Sequence, residues 1–133
     1  MSKNWAEDIR KMHRHYGVHP VIDSMDKDKL AEFLKFRINF LQEELDEMRT
    51  AENAEDVVDA LIDLCVVAIG TLDAFNVNSH LAWNEVLKAN MKKKVGIKDS
   101  RPNPLGLPDL IKPEGWKPPS HEGNHGLLED VFE

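Results

Sequence analysis

The chain has 133 residues, 41% hydrophobic and 31% charged, so it is expected to fold as one domain around a modest core. A net charge of -7 argues against a general nucleic-acid or anionic-membrane binder, while an anionic small substrate stays admissible where a divalent cation inverts the local charge. One cysteine, Cys65, excludes an intrachain disulfide framework, no apolar run reaches the roughly 18 residues of a membrane span, and the opening MSKNWAEDIRK carries no apolar signal region, so a cytoplasmic protein is expected.

The first predicted helix covers 3–16, where Trp5, Ile9, Met12 and Tyr16 fall at helical spacing. Ser2 is its candidate N-cap and Gly17 its stop. The His19–Pro20 pair then predicts a non-helical connection. A second helix runs from about Asp26 to Arg49, capped by Ser24 or Asp26, with a core stripe of Leu34, Ile38, Leu41, Leu45 and Met48. After the linker TAENAE, a third helix runs from about Glu55 to Phe75. Asn78 or Ser79 caps a fourth over about 80–94. From Gly96 the character changes: prolines 102, 104, 108, 113, 118 and 119 make regular structure unexpected. Leu105, Leu107, Leu110, Ile111 and Trp116 suggest an extended arm packed on this subunit or a neighbour, and LLEDVF suggests a last short turn of helix. With no internal repeat and no strong β-type alternation, the expected fold is all-α and four-helix bundle-like. A helical domain over 1–95 is followed by an arm over 96–133.

Residues 42–48 read QEELDEM. At 100° per residue, Glu44 lies beside the leucine stripe, on the flank that holds Phe33 and Phe40. Glu47 lies one turn on and Glu43 farther round, near Phe36. Asp46 points the other way, as a solvated charge. An acidic run is ordinarily a solvated helix face, and alone this one favours that reading. The third helix, DVVDALIDLCVVAIGTL, is apolar nearly all round and reads as buried. Asp56, Asp59 and Asp63 form one line along it, continued by Val66 and Gly70. Aligned carboxylates on a buried helix need positive charge, from Arg and Lys or, better, from a hard divalent cation with oxygen ligands. Two neighbouring acid-bearing helices favour the metal. Zinc is not expected, since one Cys and no matching His pair give no soft ligand set.

On the fourth helix, NEVLKANMKKK places Asn90 and Lys94 on the Trp83, Val86, Leu87 face, with Lys93 at its edge. These lysines read equally well as helix-end cations and as phosphate ligands. His13, His15 and His19 are assigned surface or packing roles. Trp83 and Trp116 read first as packing residues, with Trp116 a candidate cover for a nucleobase.

The chain resembles the all-α nucleotide pyrophosphohydrolases, the group of MazG-like proteins and phosphoribosyl-ATP pyrophosphohydrolase. Their hallmark is Glu-Glu-x-x-Glu on one helix and Glu-x-x-Asp on the next. EELDE at 43–47 matches the first, and DVVD at 56–59 matches the second with Asp56 in place of Glu. KMHRHYG at 11–17, Arg37, ALIDLCVVAIGTL, EVLKANMKKK and LIKPEGWKPP at 110–119 extend the resemblance along most of the chain. It implies Mg²⁺-dependent hydrolysis of a (deoxy)nucleoside triphosphate to the monophosphate and pyrophosphate, with Mn²⁺ as a substitute ion. The implied metal ligands are Glu43, Glu44, Glu47 and Asp59, with Asp63 or a water-mediated Asp56 contributing. Glu44 or Glu47 positions or deprotonates the attacking water. Asn90 with Lys93 or Lys94 holds phosphate oxygens, and Arg37, Lys112 and Trp116 are further substrate-binding candidates. A homodimer or homotetramer is implied. The alternatives are a non-catalytic nucleotide-binding protein and a structural helical oligomer whose acids pair with Arg10, Arg37 and lysines.

Overall fold

Asn4, Asp26 and Asn53 open three of the helices in the same way. Each side chain accepts a hydrogen bond from the backbone N–H three residues on, from Glu7 at 3.1 Å, Lys29 at 2.9 Å and Asp56 at 2.9 Å. The computed structural model describes residues 4–98, 100 and 105–132. Ser2, the expected first cap, lies outside the described residues, as do Pro102 and Pro104. Helix α1 is Trp5–Tyr16, α2 Val18–Asp23, α3 Lys27–Thr50, α4 Ala54–Ala74, α5 Ser79–Met91 and α6 Leu128–Val131. Two short strands, β1 (Lys94–Gly96) and β2 (Asp109–Ile111), complete the described elements. The fold is all-α apart from this pair.

By contacts the chain divides into two units, Met1–Ser79 with Gly123–Glu133, and His80–Glu122. In the first unit α4 packs against α3 and α1. Its core gathers Ile22, Leu30, Ala74, Phe75 and Val77. The C-terminal residues return to this core: Leu127, Leu128 and Val131 pack on it, and Leu127 N–H donates to the Phe75 carbonyl at 2.7 Å. Gly126, at φ 53°, passes against the backbone of Phe75 and Asn76, where a Cβ would overlap them.

The first unit corrects three expectations. The break at His19–Pro20 is not there, because Pro20 sits in the first turn of α2, where a missing N–H costs no helical bond. The interruption is confined to Gly17, left-handed at φ 68°. Helix α4 is not buried all round. Ala60, Val67, Gly70, Asp73 and Ala74 are enclosed, while Val58, Leu61 and Ile62 stay about half exposed, since the neighbours in one chain cover only one flank. On α3 the buried positions are Leu30 and Glu44, and Ile38 of the expected stripe is exposed.

In the second unit α5 stops at Met91, short of the expected 94, so Lys94 lies on a strand and its helical-wheel placement does not apply. Strands β1 and β2 pair antiparallel, Lys94 opposite Ile111 and Gly96 opposite Asp109. The Pro-rich stretch thus holds regular structure after all. The Ile111 side chain lies over Gly96, where a Cβ would overlap it. Trp116 Nε1 donates to the Ala89 carbonyl at 2.7 Å, tying the arm to α5.

Candidate metal and active site

Glu44 is where the acid question is decided. It lies on the face of α3 that meets α4, and only 8% of its surface is exposed. Its Oε2 is sealed from solvent without a hydrogen-bond partner. Burial raises its pKa above the ordinary glutamate value. The charge of Glu47, a side-chain hydrogen bond with Glu47, and the charges of Asp63 and Asp59 raise it further. Glu44, Glu47, Asp59 and Asp63 therefore share one electrostatic site, two carboxylates from each helix. Every neighbour that raises it is another acidic side chain.

The rest of the acidic set is arranged differently. Glu43 is exposed on α3 and is not among the groups that shift Glu44. Asp56 is exposed too, and its Oδ2 accepts from the capping Asn53 Nδ2 at 3.0 Å. Asp59 is exposed and Asp63 half-buried, so the aspartate line is not the desolvated row that the apolar helix suggested. The buried acid of the cluster is Glu44 instead. Asp46 is solvated as expected, accepting from Gln42 Nε2 at 3.0 Å.

Two turns before Glu44 on α3, Arg37 forms a joint with α4. Its Nε donates to Thr71 Oγ1 at 2.9 Å and its Nη2 to the Val67 carbonyl at 3.0 Å. The guanidinium carbon lies 5.9 Å from the Phe33 ring centre and 5.5 Å from that of Phe40. Burial lowers its pKa from the ordinary arginine value, which still leaves it charged. Gly70 makes room for it, since a Cβ there would stand 2.8 Å from Nη2.

A second constellation was missed in the sequence. Asp73, 4% exposed on α4, accepts at one oxygen, Oδ2, from His13 Nδ1 at 2.7 Å and from His19 Nε2 at 2.8 Å. Arg10 Nε donates to Oδ1 at 3.3 Å. Burial alone would raise the Asp73 pKa, but the hydrogen bonds from His19 and His13, with their charges, outweigh it and hold the carboxyl below its ordinary value. Of the surface or packing role expected for His13 and His19, the surface alternative is thus excluded, and the pair of histidines that the sequence reading did not find stands together at Asp73. The available signal was a lone acid in the apolar AIGTLDAF.

In the second unit, Lys93 Nζ and Lys112 Nζ lie 5.2 and 5.1 Å from the Trp116 ring centre. Asn90 is half-buried near the end of α5, Lys94 is exposed on β1 and Trp83 is exposed on α5. A cleft of about 560 Å³ is lined by Glu85, Lys88, Ala89, Lys92, Trp116 and Lys117 among others.

A sequence model described as phosphoribosyl-ATP pyrophosphohydrolase matches residues 22–90, more than half of the chain. The chain belongs to that family. The match spans α3 and α4 whole, with Arg37, every acid of the cluster, Asp73 and Asn90. His13, His19, Lys93, Lys94, Lys112 and Trp116 fall outside it. Membership of the phosphoribosyl-ATP pyrophosphohydrolase family implies metal-dependent pyrophosphohydrolase activity on a nucleotide. No curated protein matches the chain. Among the described residues, no helix is long and apolar enough to cross a membrane.

Proposed function

We propose that this chain hydrolyses a (deoxy)nucleoside triphosphate to the nucleoside monophosphate and pyrophosphate, with Mg²⁺ held between α3 and α4. The observation that carries this reading is the enclosed Glu44 side chain, its Oε2 without a hydrogen-bond partner, among three further acids. An uncompensated site of that kind costs stability in the free protein, which makes sense where a cation completes it. The donors are all hard carboxylate oxygens, so Mg²⁺ fits, and Mn²⁺ would substitute. The arginines that a structural reading needs as partners are engaged elsewhere, Arg10 with Asp73 and Arg37 with Thr71 and Val67.

Glu44, Glu47, Asp59 and Asp63 would hold the ion, with Glu43 and Asp56 at the exposed margins as water-mediated contributors. When bound, Mg²⁺ supplies positive charge that offsets the triphosphate and keeps the carboxylates ionised. Glu47, exposed and within the electrostatic reach of Glu44, orients the attacking water and takes its proton. The water oxygen bonds to phosphorus at the α–β bridge, and the bridging oxygen departs with the electron pair. Asn90 and Lys93 or Lys94 are proposed as donors to phosphate oxygens, and Arg37, Lys112 and Trp116 as substrate-side residues, on the resemblance alone. The half-exposed Val58, Leu61 and Ile62, with Phe36 and Ile38 on α3, support a homodimer or homotetramer. The helical part through residue 95 would be the catalytic portion and the following stretch its arm. A single cysteine fits a cytoplasmic setting.

The test is a panel of ribo- and deoxyribonucleoside triphosphates with Mg²⁺, reading pyrophosphate and monophosphate. Orthophosphate with a diphosphate as products would overturn the bond assignment. Nucleotide binding without turnover in excess Mg²⁺ would favour a regulatory role on the same fold.

A further inference from the structure

Away from the acid cluster, three helices bring together a donor set of different chemistry. His13 comes from α1, His19 from α2 and Asp73 from α4, and one ligand atom of each lies within 4.8 Å of the other two. The side chains are 13%, 22% and 6% exposed. Both nitrogens address the same oxygen, Oδ2 of Asp73, while Arg10 holds Oδ1.

We propose that His13, His19 and Asp73 form a second metal site, selective for a borderline divalent transition ion of the Zn²⁺ type and independent of the Mg²⁺ site proposed above. Two imidazoles and a carboxylate are a recurring zinc ligand set, and they leave a fourth tetrahedral position for water. Mg²⁺ is excluded by chemistry, since it prefers six oxygen ligands in an octahedron. The spacing is close to what an ion needs. Ligands about 2.0–2.1 Å from a tetrahedral ion stand roughly 3.3 Å apart. The nitrogens now lie 2.7 and 2.8 Å from Oδ2, so each of these two contacts lengthens by about half an ångström to admit one.

In the metal-free protein the two ring N–H protons occupy the place of the ion, because a carboxylate can only accept. Binding replaces them: each imidazole presents a bare nitrogen lone pair and carries its proton on the other ring nitrogen. For His13 that nitrogen, Nε2, lies in the space beside Gly70, 3.5 Å from where a Cβ would stand. Asp73 stays anchored by Arg10 on its outer oxygen, the kind of outer hydrogen bond that fixes a metal-bound carboxylate. The ion would tie α1 and α2 to α4 at a point that hydrogen bonds alone now hold.

The test uses metal-stripped full-length protein titrated with Zn²⁺ by calorimetry, and with Co²⁺ read by its visible tetrahedral absorption. One Zn²⁺ per chain should bind at micromolar concentration or tighter in the presence of millimolar Mg²⁺. His13→Ala and His19→Ala should each weaken it by at least about tenfold, and Glu44→Gln should leave it unchanged. Zn²⁺ binding that persists in both histidine variants, that is lost in Glu44→Gln, or that yields to Mg²⁺ would overturn the proposal. Imidazole nitrogen shifts in the unaltered protein give a readout that needs no variant. Zn²⁺ should move the signals of His13 and His19, and unmoved signals at saturating Zn²⁺ would equally overturn it.

Discussion

Replacing Glu44 by glutamine separates the stability of this site from its function. The substitution keeps the side-chain shape, removes the charge, and turns an –NH₂ donor toward Glu47, Asp63 and Asp59. Leaving a buried acceptor such as Glu44 Oε2 without a partner costs about 1–3 kcal/mol. Glu44→Gln should recover much of that in the metal-free protein. At this chain length the gain corresponds to a melting temperature roughly 3–10 °C higher in chelator. The same variant should lose pyrophosphate release and the stabilisation that Mg²⁺ gives the unaltered protein. Acid titration supplies an internal control. The folded-state pKa of Glu44 is raised, so its penalty is present above that value and is relieved as pH falls through it toward the unfolded value. In chelator, this group therefore adds stability as the pH drops through that window, and the advantage of Glu44→Gln shrinks. Paired thermal melts with chelator and with Mg²⁺, repeated over pH, read both effects. A glutamine variant less stable than the unaltered protein in chelator at neutral pH would refute the reasoning, because Glu44 would then have a favourable partner.

Asp73→Asn should behave in the opposite sense, destabilising by about 2–4 kcal/mol in chemical denaturation, because it weakens charge-assisted bonds to His13, His19 and Arg10. The depressed Asp73 pKa contributes stability that is present above the ordinary aspartate value and lost as pH falls through the lower folded value; acid unfolding of Asp73→Asn should lack that contribution. Gly70→Ala tests the Arg37 joint: helix propensity alone would stabilise by about 1 kcal/mol, but the new methyl meets a guanidinium fixed by two hydrogen bonds and two rings. A net loss of roughly 1–2 kcal/mol is expected in denaturant melts. Ile62→Glu places a charge on the half-exposed flank of α4 and should shift the assembly toward monomer in light scattering, since the side chain is not needed for the core of one chain.

Helix existence was legible because it depends on local chemistry. The caps Asp26 and Asn53 and the stop at Gly17 act within a turn of their own position, so α1, α3 and α4 lie within a few residues of their expected bounds. Pro20 misled because a proline breaks a helix interior but is tolerated in a first turn, and nothing nearby shows that α2 starts at Val18. The β1–β2 pair was invisible for the opposite reason: its strands are three residues each, too short to alternate, and their pairing joins positions far apart in sequence.

The two buried carboxylates show how far the site itself could be read. Glu44 was legible because its surroundings are local: EELDE and DVVDALID lie on two long helices joined by a short linker, and helical spacing alone brings their acids face to face. Asp73 was not, because its partners stand 60 and 54 residues away and reach it only after α1 and α2 have packed. The contrast is also chemical. Glu44 is surrounded by like charge, which raises its pKa and suits a cation that prefers oxygen. Asp73 is surrounded by nitrogen donors, which keep it ionised without a metal and match a cation that accepts imidazole. One helix, α4, thus carries acids of both kinds, Asp59 and Asp63 toward its start and Asp73 near its end. If each cluster takes the ion that suits its donors, depleting Mg²⁺ should stop catalysis and spare the His13–His19–Asp73 site, while depleting Zn²⁺ should loosen the hold of α1 and α2 on α4 and spare the acids. A single ion that abolished both effects would show that the clusters work as one site.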